Sequence, residues 1–182
     1  DLMGRAPDGA AQERLKKVIV ADVQRINRLV QDISDASRLD AELSRARHGP
    51  VDLHALVNAV AEVSNDPDKP DRPVVSVETE EGTLERGEFI VPGLDGPLGQ
   101  VFGNLVENAR SFSPPGGRVR ILLRRDGNQA VVMVEDDGPG IPPENLETIF
   151  QRFYTSRPES HGFGRNSGLG LSISKQIVDV HS

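Results

Sequence analysis

The chain has 182 residues, 36% hydrophobic and 27% charged, with a net charge of −7 and no cysteine. The acidic balance argues against broad binding to nucleic acid or acidic membranes, and the missing thiols exclude a disulfide framework, a thiolate metal site and a cysteine nucleophile. No apolar run reaches membrane-spanning length and no signal peptide is visible, so the length implies one ordinary domain plus an appendage.

Residues Asp1–Ala11, with Pro7-Asp8-Gly9, read as a fraying end that contains a turn. From Gln12 to about Ala46 the pattern is helical, with Leu15, Ile19, Val23, Ile26, Val30 and Ile33 three or four apart. Such a helix would span about 50 Å at 1.5 Å per residue. One apolar stripe on so long a helix calls for a partner helix, within the chain or across a dimer, or else for its own domain to cover it.

His48-Gly49-Pro50 ends that helix. Asp52 then caps a second one, which places Leu53, Leu56, Val57, Val60 and Val63 on one face. After a Pro- and Asp-rich loop over Asp66–Pro73, Val74–Thr79 and Glu88–Val91 read as strands. Pro97–Phe112 is helical, with Leu98, Val101, Phe102, Leu105, Val106 and Ala109 on its apolar face. Arg118–Arg125 and Gln129–Asp136 are strands joined at Asp126-Gly127, a strong hairpin signal. Pro143–Phe153 suggests a short helix, Thr155–Ser167 a polar, Gly- and Ser-rich mobile loop, and Ser167–Val180 a last helix. The order α–α–β–β–α–β–β–α predicts an α+β fold: a two-layer α/β sandwich, a mixed sheet with helices on one face, preceded by the long helix.

Four stretches of the second part combine into one constellation. Asn104 and Asn108 lie four apart, so their amides project from one helix face, where they can serve a hard cation such as magnesium or merely face solvent. Asp136 leaves an apolar strand into a turn containing Gly138 and Gly140. That turn can aim a carboxylate into a pocket, to accept from an exocyclic amine, or be an acidic surface turn or a calcium loop. Ile149-Phe150-Gln151-Arg152-Phe153 is an aromatic plug before the polar loop. Ser167-Gly168-Leu169-Gly170-Leu171 opens a helix, whose unpaired N–H groups suit phosphate. Neither glycine stretch matches a Walker loop or a dinucleotide fingerprint.

Together, in this order, these residues resemble the ATP-binding domain of sensor histidine kinases, within the ATPase superfamily of Hsp90, MutL and gyrase B. Asn104–Pro114 resembles the N box, Asp136–Ile141 the G1 box, Phe150–Phe153 the F box and Gly168–Leu171 the G2 box. Leu29–Leu43 resembles the second helix of the dimerisation and phosphotransfer hairpin. Asp32–Leu43 and Asn108–Pro114 are similar to the ChvG/ExoS type. The resemblance implies a partial dimerisation and phosphotransfer region over 1–48 and an ATP-binding catalytic domain over 49–182.

It also implies roles. Asp136 accepts from the adenine amine, Gly138 and Gly140 let the chain pass the base, and Ile141 and Phe112 pack near the ring. Asn104 and Asn108 bind Mg2+ that bridges the phosphates of ATP, and Gly168, Leu169, Gly170 and Leu171 present backbone amides to them. Arg110, Arg152 and Arg165 are cationic candidates for phosphate. Phe150 and Phe153 form the aromatic box, and Tyr154–Asn166 is the lid.

Three departures stand out. Ser111 occupies a position that is Lys in many members, and Asn166 replaces the usual first glycine of the G2 box. No His-Glu-x-x-x-Pro phospho-acceptor motif surrounds His48, His54, His161 or His181. The chain, which opens on Asp1 and stops in a helical pattern, is therefore expected to be a piece of a longer protein. It should begin after the acceptor helix and end before the family's last strand.

The implied parent transfers the γ-phosphoryl of Mg-ATP to a histidine and on to a response regulator. It is a homodimer through the long helix, has no nucleic-acid partner, and meets the inner membrane only through segments outside this chain, which is itself cytoplasmic. Two alternatives remain: another ATPase or switch kinase of the superfamily, and a catalytically dead dimerisation module. Against the first, Asn104 stands where hydrolases of the superfamily carry a water-activating Glu.

Overall fold

A computed structural model describes residues 47–68, 71–80, 89–154 and 168–181, together with residues 12, 13, 15–20, 23, 26, 27, 30 and 34. The latter are helical, as expected within Gln12–Ala46, and Leu15, Val18, Ile19, Val23, Ile26 and Val30 are all exposed. The rest of that expected helix, including Leu29–Leu43 for the most part, lies outside the described residues, as do Thr155–Ser167 and Glu88.

The ordered elements run β1 (Gly49–Asp52), α1 (Leu53–Ser64), β2 (Val74–Thr79), β3 (Ile90–Gly93), α2 (Asp95–Phe112), β4 (Arg118–Asp126), β5 (Gln129–Asp136) and α3 (Gly170–His181). Two single 3-10 turns, Pro143–Asn145 and Thr148–Phe150, stand between β5 and α3. Asp52 caps α1 as expected, its carboxylate accepting from the Ala55 N–H at 3.1 Å. Leu53, Val57 and Ala61 form the buried face of α1, one helical turn apart.

Three elements differ from expectation. Strand β1 was not foreseen, because four residues containing Gly and Pro carry no strand signal of their own. It exists through pairing with β3, antiparallel in the register Gly49↔Gly93 to Asp52↔Ile90. That register also moves β3 from the expected Glu88–Val91 to Ile90–Gly93. Phe89 serves instead as a buried anchor, whose carbonyl accepts from Leu53 N–H at 3.0 Å. The short helix expected over Pro143–Phe153 is instead the two 3-10 turns. None of their residues is buried, so no packed face rewards a continuous helix, and Pro142 and Pro143 donate no N–H.

The main sheet has the order β2-β4-β5, with β2 and β4 parallel and β4 and β5 antiparallel. It is therefore mixed, and its alternation sorts the faces. Val119, Ile121 and Leu123 of β4 are completely buried on the inner face, opposite Val134 and Val132 of β5. Helices α1, α2 and α3 supply the other half of the core through Val57, Val106 and Ile177. This is the expected two-layer α/β sandwich.

A histidine joins the ends of the two site-bearing helices. Nε2 of His181, at the end of α3, lies 3.0 Å from the Leu94 N–H that precedes α2. Nδ1 lies 2.7 Å from the Ile177 carbonyl oxygen. Only a neutral ring with its proton on Nδ1 satisfies both, accepting from Leu94 and donating to Ile177. The His48 ring meets it edge-on at 5.0 Å. His181→Phe keeps an aromatic ring but leaves the Leu94 N–H without its acceptor. It is expected to lower unfolding free energy by about 1–3 kcal/mol in urea titrations.

Candidate functional site

The site is laid out along one stripe of α2. Asn104, Asn108 and Phe112 recur every fourth residue, so they lie on one face. At one end the Asn104 Nδ2 donates to the Gly170 carbonyl oxygen at 3.2 Å and to Ser174 Oγ at 3.4 Å, both on α3. At the other end the Phe112 backbone lies against the turn after β5. A Cβ added at Gly138 would stand 3.1 Å from the Phe112 carbonyl oxygen. Asn108 lies between, about 6 Å along the axis from each neighbour on the stripe.

The two successive aspartates after β5 have separate environments. Asp136 shares the inner face of β5 with Val134 and Val132, since residues two apart in a strand point the same way. Its Oδ1 accepts from the Gly138 N–H at 2.7 Å, which bends the chain and leaves Oδ2 without a donor among the described residues. Asp137 points elsewhere and accepts from the Arg118 N–H at 2.9 Å, closing the end of the β4–β5 ladder. Gly138 is required by space, because its Cβ would fall 2.4 Å from Asp136 Oδ1. Gly140 has φ +76, in the left-handed region, and Ile141 beyond it is half exposed.

The third component is the base of the polar loop. Phe153 N–H donates to the Gly168 carbonyl oxygen at 2.9 Å, so the residues before and after Thr155–Ser167 are tied together. Phe153 pays for this with φ +65, uncommon for an aromatic residue. Gly168 has φ +74, and a Cβ there would meet the Phe153 carbonyl carbon at 2.7 Å and the Tyr154 oxygen at 2.8 Å. Helix α3 starts two residues later, and its first amides have no intrahelical acceptor.

Other candidates from the sequence sit apart from this stripe. Arg110 is two residues past Asn108, about 200° round the helix. It is buried at 5% exposure, and Nη1 donates to the Ser64 carbonyl oxygen. Burial first, and Arg72 second, lower its pKa, while Glu107 and Asp66 oppose the shift. The guanidinium thus closes the end of α1 and does not face Gly138 or Gly170. Phe150 and Arg152 line a cavity of about 380 Å³ with Ser172, Lys175, Gln176 and Asp179, on the outer side of α3. Leu169 is a core side chain at 3% exposure, so only its backbone can face a ligand, and Leu171 is half-buried. Arg165 and the lid residues Thr155–Asn166 lie outside the described residues.

Ser174 was not singled out from the sequence. A polar residue among Ile173 and Ile177, four after Gly170, was the available signal. Among the described residues no group of three or more His, Cys, Asp or Glu could hold a metal ion. A cation here would need amide oxygens and oxygens of a bound ligand.

Comparison with known proteins places this geometry. Residues 93–182 match the family model for histidine kinase-, DNA gyrase B- and HSP90-like ATPases. The sensor protein ChvG of Agrobacterium fabrum is 45% identical over 183 residues, covering 100% of this chain and 31% of its own length. ChvG of Rhizobium meliloti is 48% identical over 173 residues, covering 94% of this chain and 30% of its own. The solved structure of the mycobacterial sensor histidine kinase MprB is 33% identical, with a TM-score of 0.58 over 74% of this chain and 80% of that one. The chain belongs to the sensor histidine kinase family.

This sensor kinase chain spans about a third of the length of the curated relatives it matches. No helix among its described residues is long and apolar enough to cross a membrane. The kinase's loop base offers a direct test. Gly168→Ala forces a side chain into the Phe153–Tyr154 backbone and a left-handed residue into strain of about 1–3 kcal/mol. The Phe153 amide is expected to exchange with solvent markedly faster, while amides of β4, in the buried sheet, keep their protection.

Proposed function

We propose that this chain binds Mg-ATP along the Asn104–Asn108–Phe112 stripe and serves as the ATP-binding part of a two-component sensor kinase. One observation carries the reading: the stripe meets the start of α3 at one end and the Asp136 turn at the other. A base site, a cation site and a phosphate site thus follow one another on a single rigid helix.

The residues fit such a ligand. Gly138 leaves out a side chain that would displace the Asp136 carboxylate. Both hydrogens of the Asn104 amide are committed to α3, which leaves Oδ1 as an acceptor suited to a hard cation. In this reading Asp136 Oδ2 accepts from the adenine amine. Phe112 and Ile141, both partly exposed, cover the ring. Gly140 lets the chain pass the base. Asn104 and Asn108 hold Mg2+, whose charge offsets that of the phosphates. The amides of Gly168 to Leu171 face the phosphate oxygens. Phe150, Arg152 and Phe153 lie at the foot of the lid, and Arg110 has no part in the site.

The parent reaction would move the γ-phosphoryl group of ATP to an imidazole nitrogen, with ADP as the leaving group. The bond from phosphorus to the bridging oxygen breaks, one from phosphorus to nitrogen forms, and the group later passes to an aspartate of a response regulator. Positioning and charge stabilisation are most of what a protein contributes to such a transfer. The relatives' designations as sensor proteins and histidine kinases support this reading, together with dimerisation through the helix within 1–48. They also support a cytoplasmic position for residues 49–182 in a membrane-anchored sensor.

Asp136→Asn keeps an oxygen for the Gly138 N–H but offers the adenine amine a second donor. A bond to a charged group is worth roughly 1.5–3 kcal/mol. ATP affinity in calorimetry is therefore expected to fall about ten- to hundredfold. GTP, with a carbonyl in place of that amine, is expected to bind poorly to the unaltered chain. Equal affinity for ATP and GTP would overturn the base assignment.

The cation assignment has its own test. Asn108→Ala is expected to reduce the gain in ATP affinity that Mg2+ confers and to leave adenosine binding unchanged, since adenosine has no phosphates to bridge. Equal loss with adenosine and with Mg-ATP would place the effect in the fold or the base pocket.

A further inference from the structure

The buried hydroxyl of Ser174 has no part in the site as assigned so far. Its side chain is 4% exposed, on the inner face of α3 between Ile173 and Ile177. A hydroxyl placed among isoleucines is unfavourable unless a partner offsets its desolvation. The partner here is the Asn104 amide, which donates to Ser174 Oγ at 3.4 Å and to the Gly170 carbonyl at 3.2 Å.

An asparagine amide has one acceptor oxygen and two N–H donors on groups of nearly equal size. Rotation by about 180° exchanges them, and only the oxygen can bind a hard cation. Contact with Gly170 does not choose between the two orientations. A Cβ on Gly170 would lie 3.5 Å from Asn104 Cγ and 3.7 Å from Oδ1, ordinary contact distances, so the bare Gly170 crowds neither end of the amide. The hydrogen bonds to α3 do distinguish them. The Gly170 carbonyl can accept but not donate, and takes one N–H. That carbonyl makes the choice, and the Ser174 hydroxyl, which can accept or donate, takes the second N–H from another direction one helical turn further on and holds the amide as chosen.

We propose that Ser174 is a positioning residue for the cation site: it holds the Asn104 amide with its nitrogen toward α3 and its oxygen toward the bound nucleotide's cation. Ser174 touches neither cation nor nucleotide and acts through Asn104 alone. The inference rests on the assignment of Asn104 to Mg2+.

The test uses the chain with four single variants and the double variant Ser174→Ala/Asn104→Ala. Ser174→Ala removes the oxygen. Ser174→Thr and Ser174→Val have nearly equal shape and differ chiefly in the hydroxyl, so their comparison cancels the effect of added bulk. Asn104→Ala removes the amide. Calorimetry measures adenosine, ATP with chelator, and ATP with Mg2+. Ser174→Ala is expected to reduce the Mg2+-dependent gain about three- to tenfold with adenosine unchanged. Ser174→Thr should hold more of that gain than Ser174→Val. Ser174→Ala should add nothing in the Asn104→Ala background.

A second readout needs no ligand. The side-chain amide protons of Asn104 in 15N spectra are expected to exchange faster with water in Ser174→Ala and Ser174→Val than in Ser174→Thr. Three results would overturn the proposal: an unchanged Mg2+ gain in Ser174→Ala, equal losses for adenosine and Mg-ATP, or losses that add to those of Asn104→Ala. If Asn104→Ala itself keeps the full Mg2+ gain, the cation assignment fails. The spectra then report separately whether Ser174 orients the amide.

Discussion

The contact between the Asn104 amide and the first turn of α3 is the constraint on which the rest of the site depends. Helix α2 is one continuous helix eighteen residues long, so fixing one point on its stripe fixes the others. With Asn104 docked on Gly170 and Ser174, Asn108 and Phe112 follow at fixed intervals toward the Asp136 turn. The hydrophobic core to which Val106 and Ile177 belong supplies the larger share of stability, but its contacts are non-directional. The polar contact is directional, and it sets which atoms of α2 and α3 face each other.

The far end is placed by a different geometry. Strand β5 alternates its side chains between faces, which puts Asp136 on the side of the helices and Asp137 on the other. Each carboxylate is then held by one backbone N–H, Gly138 for the first and Arg118 for the second. The Gly138 contact costs Asp136 only one of its two oxygens. A turn that closes on its own aspartate restricts that carboxylate, and preorganisation of this kind would reduce the entropy lost on binding a ligand.

Charged and polar groups outside the stripe are absorbed by the frame. Arg110 closes the end of α1 at Ser64, and His181 joins the ends of α2 and α3 through Leu94 and Ile177. Both bind backbone groups at helix ends, Ser64 closing α1 and Leu94 preceding α2, which is where a buried polar side chain is useful. Their removal from the ligand side leaves a site whose polar groups are amides, one carboxylate and backbone N–H groups. Such a set suits a nucleotide whose own charge is balanced by a cation.

What the sequence by itself determined is what period and spacing determine. The four-residue interval put Asn104 and Asn108 on one face, Asp52 capped its helix, and strands Val74–Thr79 and Gln129–Asp136 were legible as β-branched runs bounded by turn signals. Local chemistry suffices for these, because each depends on residues within a turn or a strand of one another. Only the tertiary structure decided the rest. Strand β1 needs β3 as a partner, and the segment after Pro142 lacks a packed face and stays in 3-10 turns. Arg110 turns to Ser64, away from the stripe of Asn104, Asn108 and Phe112, and Ser174 meets an asparagine seventy residues away. These outcomes depend on which surfaces the folded layers bring together, and a single helix or strand pattern holds no record of its partner.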